Sequence, residues 1–129
     1  MILTYSLDRF VPAILAGTKK HTIRYDHHNR WRAGMPIQHW RGNPRNVKNN
    51  PYEFASGVCL GVQEIEILPG CSKMKHGLTV KVDNRFLTDE EILILAENDG
   101  LTVAEMRDWF TGGRYLYRGR IIHFTDLIY

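Results

Sequence analysis

Ile14-Leu15-Ala16-Gly17-Thr18-Lys19-Lys20-His21-Thr22-Ile23-Arg24 joins two patterns with different periods. Upstream, Leu7, Phe10, Ile14 and Leu15 recur at helical spacing, which predicts a helix over 7–16. Asp8 is placed to cap it, and Pro12 falls in the first turn, where a missing N–H costs little. Gly17 is a helix-stop glycine. Downstream, 20–25 reads as a strand with a polar rim, and side chains that repeat every two residues put Thr22 and Arg24 on one face. Lys19 precedes them in the turn, so an ammonium, a hydroxyl and a guanidinium converge on one place.

Working outward, residues 1–6 predict a first strand and 35–41 another, with Ile37 facing inward. Residues 42–52 are rich in Asn, Pro and Gly and predict a loop, either a flap over a ligand or a plain surface excursion. In 54–68, Ile65 and Ile67 alternate with Glu64 and Glu66, the period of a half-buried strand. Gly57 and Gly61 suggest a bend or bulge there, Pro69-Gly70 a turn, and 78–82 a further strand. Thr88 to Glu91 and Thr102 to Glu105 are capping boxes, each opening a short helix, stopped at Gly100 and at Gly112-Gly113. Trp109 and Phe110 are expected in the core, and 117–128 as a long closing strand. Strands and helices do not alternate as in a doubly wound sheet. The expected fold is α+β: a small mixed β-barrel with short flanking helices, one domain over 1–129.

Composition agrees. The chain has 129 residues, 43% of them hydrophobic and 24% charged, as a soluble globular domain does. No apolar run reaches the length of a membrane span, and the N-terminal stretch lacks the basic region of a secretory signal. Cys59 and Cys71 are too few for a disulfide scaffold and too far apart for a zinc pair, so both are read as reduced thiols of a cytoplasmic protein. The formal net charge of +3 is uneven: residues 1–50 carry nine Lys/Arg against two acids, and residues 51–129 eight against twelve. A basic region attracts phosphates and polyanions, although such charges are often simply solvated. His21, His27, His28 and His39 together suggest a metal site, but adjacent His27-His28 on a loop cannot fix its geometry alone, so neither metal nor cofactor is expected. Tyr25, Trp31 and Trp40 lie among basic residues, either stacking on a base or packing in the core and rim.

The pattern Gly17-x-Lys19-x-x-Thr22-x-Arg24, following Ile14-Leu15, resembles the signature of the ASCH family of PUA-like barrels. Trp31 to Ile37 resembles the family's next element, 96–101 and 105–110 its helical insert, and Ile121 to Phe124 its last strand. The resemblance implies a PUA-like barrel that binds RNA or a nucleotide through Lys19, Lys20, Thr22 and Arg24, with Tyr25, Trp31 and Trp40 nearby. It also implies an alternative, an amidohydrolase acting on an acylated cytidine. There Lys19 would be the base, Thr22 the nucleophile and a carboxylate, Asp99 or Glu97, the proton donor. Asp99 would stand where that branch has a longer Glu. Lys20, where a smaller residue is usual, either lowers the pKa of Lys19 by its charge or points into solvent. A protein-interaction domain that uses none of these residues is the third reading. Oligomeric state is left open.

Overall fold

The computed structural model describes residues 1–70, 74–112 and 115–129. Along the chain come β1 (Ile2–Tyr5), α1 (Phe10–Leu15), β2 (His21–Arg24), β3 (Pro36–Arg41), β4 (Tyr52–Val58), β5 (Gly61–Pro69), β6 (Leu78–Val82), β7 (Arg85–Phe86), α2 (Asp89–Asn98), α3 (Val103–Thr111) and β8 (Tyr117–His123). The fold is α+β, but among the described residues the strands do not close into a barrel. They form a three-stranded sheet, β1-β3-β4, and a five-stranded sheet, β2-β8-β5-β6-β7. β1 runs parallel to β3, and the other pairs are antiparallel.

At one corner the chain passes directly between sheets. Cys59 N–H still bonds to Met35 O of the first sheet side, and Leu60 N–H bonds to His123 O of the second. At the opposite corner β1 and β2 form no ladder. Their gap is crossed by the Arg24 side chain, whose Nη2 donates to Thr4 O at 2.5 Å. A closed sheet would pair those edges; here a charged side chain stands in for the missing ladder.

The core lies between the sheets and the two longer helices. Ile37, Ile65, Ile67, Val80, Val82, Leu95, Met106, Ile121 and Ile122 are essentially inaccessible to solvent. Alternation predicted this for Ile65 and Ile67 on β5, whose neighbours Glu64 and Glu66 face outward. Both capping boxes form: Thr88 accepts from Glu91 N and Thr102 from Glu105 N, with the glutamates reaching back.

Several expectations are corrected. α1 starts at Phe10, with Arg9 at its cap and no side-chain bond there. Asp8 does not cap it, because its carboxylate accepts from Arg41 Nε at 2.6 Å instead. Leu15 is exposed rather than part of the buried face. The closing strand stops at His123, and 124–129 leaves the sheet to fold back over Gln63, whose side-chain amide binds both Tyr129 N and Tyr129 O. β7 was missed: Asp83 and Asn84 both have positive φ, the geometry of a tight hairpin turn. The 42–52 segment carries a 3₁₀ turn at Val47–Asn49 and its end pairs as β4. Cys59 is a buried free thiol whose pKa burial raises, while Cys71 and Gly113 lie outside the described residues. No described helix is long and apolar enough to cross a membrane.

Candidate functional site

A cavity of about 670 Å³ opens at the unpaired corner, lined by β1, β2, the end of α2, α3 and the start of β8. Lys19, Thr22 and Arg24 all line it, as does Asp99.

Lys19 is put there by the end of α1. Gly17 turns with φ +78°, and Thr18 N–H and Lys19 N–H both bond to Ala13 O. Lys20 N–H then bonds to Asn98 O at 2.7 Å, pinning this segment to the end of α2. Lys19 is only 2% exposed. Its Nζ donates to Asp99 O at 2.5 Å, lies 3.3 Å from Asp99 Oδ1, and sits 4.5 Å above the Phe10 ring centre. A cation at the carbonyl end of a helix is favourably placed. Gly100 turns the chain away with φ +80°, and a Cβ there would meet the Phe10 ring at 3.0 Å. Burial lowers the Lys19 pKa, Asp99 opposes the fall, and Arg24 and Arg9 add to it. The charges that assist are therefore Arg24 and Arg9; Lys20, left open between that role and solvent, is half-buried and lines neither this cavity nor a smaller second one that shares Tyr25 and Arg118 with it.

Arg24 is held on three sides. Besides Thr4 O, its Nε donates to Thr22 Oγ1 at 3.3 Å, and its guanidinium lies 5.2 Å from the Tyr5 ring centre. Nη1 has no hydrogen-bond partner among the described residues. Tyr5 is itself fixed, its hydroxyl 2.8 Å from His39 Nδ1. Burial raises the Tyr5 pKa and pushes His39 down to about 4, so the imidazole and the phenol are both neutral at pH 7.

Of the two acids left open by the sequence, Asp99 is buried against Lys19 and Glu97 is exposed. Asp99 has a second partner that sequence reading missed. His21 Nδ1 is 3.2 Å from Asp99 Oδ1, and His21 Nε2 is 2.6 Å from the Tyr129 hydroxyl, which accepts from Asn98 Nδ2 at 3.0 Å. With that donor satisfied, Tyr129 O–H points its proton at Nε2, leaving the His21 proton on Nδ1 facing Asp99. Burial keeps His21 below its ordinary pKa, hence neutral, and lifts Tyr129 to about 12. The available signal was a histidine at a core-facing strand position, which requires partners when buried.

The aromatic expectations divide. Tyr25 lines the cavity rim and is 67% exposed. Trp31 is in the core, behind a loop where Asp26 accepts from the backbone of Arg30 and Trp31. Burial works to raise the Asp26 carboxyl, but those N–H groups and Arg120 hold it below its usual range. Trp40 lines neither cavity, and its indole Nε1 is buried without a partner among the described residues. Phe110 is core as expected, whereas Trp109 is half-exposed and walls the cavity together with Phe10 and Tyr117. Loop residues 42–51 line neither cavity. The described residues contain no cluster of three His, Cys, Asp or Glu suited to a metal. No protein-family model, curated protein or solved structure matches this chain.

Proposed function

We propose that this chain is a nucleotide-binding domain of the ASCH type, taking one nucleoside unit, free or in RNA, into the corner cavity. The observation that carries this reading is the convergence of Lys19, Thr22 and Arg24 on one aromatic-walled hollow of about 670 Å³. That volume suits a nucleoside-sized ligand. Phe10, Tyr117 and Trp109 offer apolar faces for a base. Arg24 is already immobilised by three protein groups, so little entropy is lost when Nη1 donates to a ligand carbonyl or phosphate. The barrel kinship and a reducing, cytoplasmic setting belong to the same reading. Calorimetric titration with cytidine, with CMP and with a short single-stranded RNA tests it. Binding of at least one, weakened tenfold or more by Arg24→Ala, is expected. No binding of any, or binding indifferent to Arg24→Ala, overturns it.

A second reading is favoured by the buried Lys19–Asp99 pair beside Thr22: hydrolysis of an acyl amide on a cytidine. Lys19 in its neutral form takes the Thr22 proton as Oγ1 attacks the amide carbonyl. Collapse of the tetrahedral adduct breaks the C–N bond, and the leaving amine takes up the proton that Lys19 gained from Thr22, relayed through the Asp99 carboxylate 3.3 Å from Nζ. Water then releases the acyl group from Thr22. Lys19 and Thr22 share no hydrogen bond among the described residues, so ligand entry has to close that distance. Acetyl loss from N4-acetylcytidine, reduced by about a hundredfold or more in Lys19→Met and Thr22→Ala, is the expected result. An inert wild-type protein would remove this reading and leave the binding one.

A further inference from the structure

A second cavity of about 440 Å³ adjoins the first, and Tyr25 and Arg118 line both. Its remaining wall includes His27, Asn29, Glu64 and Arg120. Tyr25 is 67% exposed. One side of its ring stacks on His27, with centroids 4.9 Å apart and planes 25° apart, and the high exposure leaves the other side to solvent. A large aromatic presented this way is a platform on which any base can stack.

Both arginines of the second cavity face a carboxylate, and Glu64 adds a third acid, so the lining carries no excess of positive charge. Asp26 Oδ2 is 3.3 Å from Arg120 Nη1, and Glu66 Oε1 is 3.5 Å from Arg118 Nε. Such a hollow suits a neutral base better than a phosphate. Arg118 differs from Arg120: its side chain is 71% exposed and only loosely paired, and it stands where the two cavities meet. A long cation there can swing to a phosphate bridging the cavities. Glu64, exposed on β5, offers an acceptor for an exocyclic amine of a base.

We propose that the second cavity is a subsite for the nucleotide adjacent to the one in the corner cavity, its base stacked on Tyr25 and the linking phosphate on Arg118. The ligand class is then a dinucleotide or longer single strand, not a free nucleoside. The inference rests on the nucleotide-binding reading of the corner cavity and deepens it.

The test compares affinities of the whole protein for 3′-CMP, 5′-CMP and the dinucleotide CpC. CpC is expected to bind about tenfold tighter than the better mononucleotide, the scale of one stacked base. Tyr25→Ala brings that ratio towards one and Tyr25→Phe preserves it. Glu64→Ala, which removes that acceptor from the second cavity, lowers the ratio. CpC binding no tighter than the better mononucleotide, or a ratio that survives Tyr25→Ala, overturns the subsite and spares the corner cavity. Failure of all three probes to bind overturns both together.

Discussion

Asp99→Asn tests the heart of the site without any ligand. Lys19 and Asp99 side chains are 1% and 5% exposed, so neither charge is appreciably hydrated. Replacing the carboxylate by an amide keeps the volume and removes the countercharge. Breaking a buried pair on one side typically costs about 3–5 kcal/mol. The lower end of that range applies here, because Asp99 O still accepts from Lys19 Nζ and because the lysine can shed its proton. Shedding it has a signature. The folded-state pKa of Lys19 already lies below its ordinary 10.5, so just below pH 10.5 the unfolded chain binds more protons than the folded one. Stability therefore rises with pH through that window and levels off above it. Asp99→Asn deepens the depression, widening the window towards neutral pH. Lys19→Met combined with Asp99→Asn removes the unpaired charge, restores most of the loss and abolishes the slope. Urea denaturation at pH 7 to 10.5 measures all three proteins. A loss below about 1 kcal/mol for the single variant, or a double variant less stable than it, would refute the argument that a buried charge pair organises this corner.

The neutral histidines give an acid limb. His39 and His123 are both buried and held at about 4, so the unfolded chain binds more protons between pH 6.5 and 4; stability is full above 6.5 and falls below it, by at most about 3 kcal/mol for each. A melting temperature that stays flat from pH 7 to 4 would contradict this. Thr88→Ala and Thr102→Ala each lose a complete capping box and should cost about 1 kcal/mol in denaturant titrations. Gly100→Ala should cost more than either cap, since it adds left-handed strain to a 3.0 Å approach to Phe10; an unchanged midpoint would show that Phe10 yields freely. Tyr129→Phe, which removes the hydroxyl between His21 and Asn98, should destabilise by about 1–3 kcal/mol.

What the sequence determined by itself is local. The capping boxes at Thr88 and Thr102, the glycine stops at Gly17 and Gly100, and the alternation around Ile65 and Ile67 each depend on residues within a few positions, so their physics is complete in a short window. The same holds for Thr22 and Arg24 sharing a strand face with Lys19 just before them. Tertiary structure decided the rest. Asp99 rather than Glu97 reaches Lys19 because α2 ends with Asp99 over the cation and Glu97 turned to solvent. His21 meets Tyr129 because the last residues leave the sheet after His123. The cavity exists because β1 and β2 fail to pair, and Arg24 spans their gap. Contacts between residues 80 and 108 positions apart leave no periodic trace in the chain. They are fixed by which buried polar groups find partners once the core has closed.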